Sequence, residues 1–202
     1  VLDKNTQQLV LDELYKISFH IDPKIYIGAL WLSTYINVRP NELRHIKEKD
    51  IDLENGIMQI THNKERRPKQ VYLLQADIDY LNSLPEYFDK NAYFFRHAKG
   101  KRGVHKSKMN QFGHDHILKW WNRACTNLGI EGVALYAGTK HTSVIALGED
   151  YTPDQIKKYG TGHKSNIAFD RYFQVSADKK RELFAKARCT TGAQRKIANL
   201  AL

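Results

Sequence analysis

Apolar residues recur at helical spacing from the start of the chain. Leu9, Val10, Leu14 and Ile17 predict an amphipathic helix over residues 6 to 17, and a second apolar helix is predicted from Lys24 to Tyr35. Pro40 suits the first turn of a third, short helix through Leu43 and Ile46, which places Arg39 at its N-terminal boundary. From Ile51 to Leu74 the pattern changes. Ile57, Met58 and Ile60 follow Glu54-Asn55-Gly56, and Asn-Gly is a strong signal for a tight hairpin turn. The next connection is the basic stretch from Asn63 to Lys69, and Val71 to Leu74 is expected to be a third strand. Lys64 then falls on or near a β-turn.

A helix from Ala76 to Leu84 precedes Tyr93-Phe94-Phe95 and a segment, 96 to 108, that is expected to be an exposed basic loop. Ile117, Trp120, Trp121, Ala124 and Leu128 mark an amphipathic helix, with both tryptophans expected in the core. Thr139 is expected to precede a helix through Val144, Ile145 and Leu147, so that Lys140 and His141 lie at its start. Thr152-Pro153-Asp154-Gln155 combines an N-cap, a proline at the first helical position and a glutamine at the third. Ser165 suits the cap of a helix carrying Ala168, Phe169, Tyr172 and Phe173, and Ala177 to Arg188 is expected to be the last helix. No repeat, low-complexity linker or internal boundary interrupts the pattern. The chain reads as one domain over residues 1 to 202, α+β but mainly α, with a small three-stranded antiparallel sheet.

Composition narrows the choice of partner. With 42% hydrophobic and 11% aromatic residues the chain can bury a core. Its 32 Lys and Arg against 22 Asp and Glu leave a net charge of +10, which brings a polyanionic partner forward. No apolar run reaches the roughly 20 residues needed to span a bilayer, so the expectation is a soluble, intracellular protein without a membrane partner. Cys125 and Cys189 lie in unrelated contexts and suggest neither a disulfide framework nor a metal site. An i,i+2 pair such as His114 and His116 shares no helical face, so no metal ligand is assigned.

The segment Tyr35-Ile36-Asn37-Val38-Arg39-Pro40-Asn41-Glu42-Leu43 resembles the first catalytic box of the tyrosine recombinases, also called the phage-integrase family. Order and distance strengthen the resemblance: Lys64 at a hairpin, then Lys140-His141-Thr142, then Gly162-His163, then Tyr172 nine residues on. It spans the chain from Leu9 to about Phe184. It implies a helical catalytic domain with a small sheet, of a longer protein whose N-terminal DNA-clamping domain lies outside this sequence. It further implies a site-specific recombinase that cuts and rejoins double-stranded DNA as dimers or tetramers, in a bacterial or phage setting, cytoplasmic and at the nucleoid.

The resemblance also assigns roles. Tyr172 is the nucleophile, and Arg39 grips phosphate oxygens with a planar fork that Glu42 orients. His141 is the candidate general base, His163 a phosphate-oxygen donor, and Lys64 the general acid at the leaving 5′ oxygen. The product is a 3′-phosphotyrosine, which conserves the phosphodiester energy for religation without ATP; no metal or other cofactor is expected. Around this set, Arg66, Arg67 and Lys69 of the hairpin, with Arg96, Lys99, Lys101, Arg102, Lys106 and Lys108 of the basic loop, are expected to track the DNA backbone.

The second box departs from the family pattern. Where a His-x-x-Arg-His run is usual, this chain has Ala137-Gly138-Thr139-Lys140-His141. Lysine keeps the charge but loses arginine's two-point grip, and alanine neither accepts nor donates a proton. An alternative therefore stands beside the enzyme: a DNA-binding module of the same fold with impaired or lost catalysis. Taken singly, Tyr172 reads as a core or surface tyrosine, Arg39 as the partner of Glu42 on one helical turn, and Lys64 as one solvated charge among several.

Overall fold

The computed structural model describes residues 1–63, 67–84, 89–97, 111–161 and residue 181. Helix α1 (Lys4–Ser18) starts where the Asp3 carboxylate accepts a hydrogen bond from the Thr6 backbone N–H at 2.9 Å. Its buried face is Gln7, Val10, Leu11, Leu14 and Ser18, a stripe at helical period. Leu9, expected in that stripe, is 57% exposed, because at about 100° per residue it falls on the face roughly opposite the stripe. Asp22 and Pro23 open α2 (Pro23–Thr34), which buries Ile25, Ile27, Ala29, Trp31 and Leu32 and is the central helix of the core.

Two short elements follow. Helix α3 (Pro40–Leu43) has Arg39 as its N-cap residue, and a 3-10 turn (Glu48–Asp50) leads into a three-stranded antiparallel sheet of order β1-β2-β3. Strand β1 (Ile51–Asp52) pairs with β2 (Ile57–Ile60) across the Asn-Gly turn, where Gly56 takes a φ of 63° that a side chain would oppose. Strand β3 (Lys69–Tyr72) pairs with β2 in the register Ile60↔Lys69 and Met58↔Val71. It begins two residues earlier than the apolar pattern suggests. Alternation then puts Lys69 on the same face as buried Val71, while Gln70 and Tyr72 face solvent.

Helix α4 (Gln75–Ser83) follows the sheet, and α5 (His116–Asn127) packs on α1 and α2. Trp121 is wholly buried in α5, whereas Trp120 only packs against the core's rim, with the Arg123 guanidinium 5.5 Å from its ring centroid. Leu128, expected in the apolar stripe, is 40% exposed because α5 stops at Asn127 and the chain turns at Gly129 with φ 67°.

Beyond α5 the chain is already helical at residue 135 and winds through a π-helical turn (Ala137–His141) into α6 (Thr142–Leu147). Thr139 is therefore not a cap preceding a helix. Its hydroxyl donates back to the Leu135 carbonyl at 2.6 Å instead of capping, so Lys140 and His141 sit inside a continuous helical segment rather than at a helix N-terminus. Helix α7 (Pro153–Gln155) opens with the expected reciprocal Thr152–Gln155 capping bonds and runs into a second π-helical turn (Ile156–Thr161). The predicted helix from Ser165 and, apart from residue 181, that from Ala177 to Arg188 lie outside the described residues.

A π-helical turn disturbs the regular backbone ladder, and α1 responds to it. The buried amide of Gln7 donates to the carbonyls of Gly138 at 2.7 Å and Thr139 at 2.8 Å. On the opposite side the turn lies so close to α5 that a Cβ on Gly138 would stand 2.3 Å from Trp121 Cζ2. Gly138→Ala is expected to lower stability by about 1 to 3 kcal/mol through overpacking. Gln7→Leu is expected to cost about 1 to 3 kcal/mol by removing the buried amide's hydrogen bonds to the Gly138 and Thr139 carbonyls. Urea midpoints at constant m-value measure both, and a midpoint unchanged in either variant would refute the corresponding contact.

Candidate active site

The first box is built around a buried carboxylate. Pro40 fixes the first helical residue of α3, Arg39 stays extended at φ −105° and ψ 153°, and Glu42 arrives at the third helical position. The Glu42 side chain is only 3% exposed. Its Oε2 accepts from the Arg39 backbone N–H at 3.0 Å, and its Oε1 accepts from the Arg39 guanidinium at 3.0 Å. A second cation closes the cluster, since Lys69 Nζ donates to Glu42 Oε2 at 2.7 Å and to the Asn37 carbonyl at 2.9 Å. Arg39 itself remains one-third exposed, at 33% of its side chain.

The approach to Arg39 is anchored from α2. Asp77 at the start of α4 accepts from Trp31 Nε1 at 2.8 Å and from the Tyr35 hydroxyl, which in turn accepts from the Leu74 backbone N–H at 3.0 Å. Burial, and then the Asp77 carboxylate, push the Tyr35 phenol well above its ordinary pKa. That tyrosine is a structural strut and stays protonated.

The second box lies on the first π-helical turn. Lys140 is 2% exposed, with Nζ 5.5 Å from the centroid of the Tyr136 ring. The i to i+5 winding also sets Tyr136 edge-on to His141, ring centroids 4.8 Å apart. His141 is half-buried, and burial first, then the Lys140 charge, hold its pKa below the usual histidine value.

Ile36 links the boxes. Three residues before Arg39, it clusters with Val144 of α6 and with Ile156 at the start of the second π-helical turn. Gly160 in that turn comes close enough that a Cβ there would stand 2.7 Å from Ile36 Cδ1. The Arg39 segment is thus packed between the segment carrying Lys140 and His141 and the one leading toward His163. Neither Gln7 nor Lys69 is singled out for this role by sequence reasoning. A polar residue on an otherwise apolar stripe signals the first, and a lysine in phase with Val71 and Leu73 signals the second.

On the hairpin, the Asn63 side chain braces the chain on either side of 64–66. Its amide donates to Ile60 O at 2.9 Å and Arg67 O at 2.7 Å, and its oxygen accepts from Arg67 N at 3.3 Å. His62 stacks on His45 just beyond α3, ring centroids 3.9 Å apart, and Arg67 is exposed. Lys69, expected to track phosphate, is turned inward to Glu42. Arg96 is mostly buried and bonds to Glu48 and to the Tyr93 carbonyl, and the bridge Arg96↔Gln111 closes the base of the basic loop. Lys64, Arg66, Lys99, Lys101, Arg102, Lys106, Lys108, His163 and Tyr172 lie outside the described residues.

No protein-family model matches the sequence, and no curated protein does. Solved structures do match. XerA recombinase superposes with a TM-score of 0.64 at 19% identity, over 93% of this chain and 65% of its own. XerH site-specific recombinase bound to palindromic difH substrate, in a post-cleavage complex, gives 0.64 at 17% identity over 91% of this chain and 51% of its own. The Tn1549 transposon integrase in complex with a circular intermediate DNA gives 0.63 at 15% identity over 92% and 65%. This chain spans less than two thirds of the length of each. Helices around one three-stranded antiparallel sheet, matched over nine tenths of the chain at this level, give it the fold of a tyrosine-recombinase catalytic domain.

Proposed function

We propose that the chain is the catalytic domain of a site-specific DNA recombinase that cleaves and rejoins strands through a 3′-phosphotyrosine at Tyr172. The observation that carries the reading is the Ile36 junction. The segment presenting Arg39 is packed, through Ile36, against the helix that follows Lys140 and His141 and against the turn that precedes His163 in sequence, and this packing supports the reading. A partly exposed guanidinium held by a buried carboxylate suits a phosphate, and the +10 net charge suits the polyanion around it.

In this mechanism Tyr172 Oη attacks the phosphorus, forming the O–P bond as the bond to the 5′ oxygen breaks. The phenol's ordinary pKa near 10 makes it a weak nucleophile, so its proton passes to His141, whose neutral form is favoured by burial. Lys64 gives a proton to the departing 5′ oxygen. Arg39, Lys140 and His163 meet the charge that develops on the phosphate oxygens, and Glu42 holds Arg39 in place. Religation runs the same steps in reverse on another strand. Arg66, Arg67, Lys99, Lys101, Arg102, Lys106 and Lys108 follow the backbone of double-stranded DNA, and recombination joins copies of the chain as dimers or tetramers on their half-sites.

One observation favours a second reading. Lys140, where the family carries arginine, is almost wholly buried, and Ala137 offers no proton-transfer group, which suits a DNA-binding module whose chemistry has decayed. A nicked suicide duplex separates the two. The enzyme is expected to form a denaturation-resistant protein–DNA adduct that vanishes in Tyr172→Phe, while binding without any adduct would establish the module. For the enzyme, the single-turnover rate is expected to have an acid limb whose midpoint lies below the ordinary histidine pKa of about 6.5, as His141 takes up a proton. His141→Ala is expected to slow cleavage by about 10²–10⁴-fold and remove that limb; a midpoint above that ordinary value, or a limb that persists in the variant, would argue against His141 as the base.

A further inference from the structure

We propose that Lys69 is a positioning residue of the recombinase site, setting the charge and place of Arg39 through Glu42; the inference rests on the functional reading above. Its placement is unusual for a lysine in a basic hairpin. Strand β3 puts it on the inward face, in phase with buried Val71, and its side chain is only 23% exposed. The ammonium is spent inside the protein, on Glu42 Oε2 at 2.7 Å and the Asn37 carbonyl at 2.9 Å. Both acceptors belong to the segment that presents Arg39.

Electrostatics gives this arrangement a function. A carboxylate that is 3% exposed is poorly solvated and draws strongly on whatever cation is near. With Arg39 as its sole counter-ion, the pair is neutral and the guanidinium is pulled toward Glu42 and away from a phosphate. Lys69 adds a second positive charge on Oε2, so the cluster keeps one net positive charge while Arg39 Nη1 remains on Oε1 at 3.0 Å. The same ammonium ties β3 to the segment that presents Arg39.

The test compares Lys69→Met, Lys69→Arg and Lys69→Gln with wild type, alone and with Glu42→Gln, on a nicked suicide duplex under single turnover. Lys69→Met is expected to slow cleavage about 10- to 100-fold, less than the loss of a direct oxyanion donor. DNA affinity and its salt dependence are expected to stay as in wild type, whereas loss of a phosphate contact lowers the salt slope by about 1. Lys69→Arg is expected to recover most of the rate, and in the Glu42→Gln background Lys69→Met is expected to add almost nothing. If Lys69→Met does not fold by circular dichroism, Lys69→Gln replaces it, since the amide keeps a donor to Glu42 and loses only the charge.

A salt slope lowered by about 1, or slowing that is fully additive with Glu42→Gln, would overturn the inference and make Lys69 an ordinary phosphate contact. Absence of any adduct in wild type sinks the recombinase reading instead. The Lys69 assignment is then decided by the Arg39 guanidinium resonance in nitrogen-15 spectra: displacement by Lys69→Met and not by Lys69→Arg supports it, and an unmoved resonance ends it.

Discussion

A buried anion has to be compensated where it lies, and Glu42 imposes that condition on everything around it. Its two oxygens are satisfied by the Arg39 backbone, the Arg39 guanidinium and the Lys69 ammonium, which come from two different elements. Meeting the condition fixes the entry angle of α3, the register of β3 and the direction of the arginine together. Displacing any of the three donors leaves a carboxylate desolvated and underpaired, a state costly enough to select against other packings.

The remaining parts of the site are held by close contact rather than by charge. Two π-helical turns interrupt regular winding, and each brings a glycine into close contact with a distant side chain, Gly138 with Trp121 and Gly160 with Ile36. Gln7 satisfies carbonyls in the first turn from within the core, where water could not. The irregular backbone therefore carries Lys140 and His141 in one turn and Ile156–Thr161 in the other.

Several features of the fold were legible in the residues. The Asn-Gly turn, the Pro40 and Pro153 helix starts and the Thr152–Gln155 cap depend on local chemistry and appear where their residues predict. The apolar period found the helices but misplaced individual side chains. Leu9 and Leu128 are exposed because burial depends on a phase angle and a helix end that hydrophobicity alone does not encode. Thr139 resembled a cap by type, yet its hydroxyl bonds backward, since the helix had already begun four residues earlier. Strand β3 begins two residues before its expected start for the same kind of reason: a lysine counts as polar in any pattern, and only its partner makes it an inward residue.

By itself, then, the sequence determined the class of elements, their order, the basic character of the chain and an ordered set of arginine, lysines, histidines and tyrosine that resembles the set of the tyrosine recombinases. These are properties of local backbone preference and of residue types along a line. Tertiary structure decided which charges are committed inside, with Lys69 and Arg96 bound to carboxylates while Arg67 faces solvent. It also decided that Lys140 is buried on a π-helical turn and that Ile36 joins distant boxes. The reason is physical: an ionic group's role depends on the charge beside it and on its access to water, and both are set by residues far away in the chain.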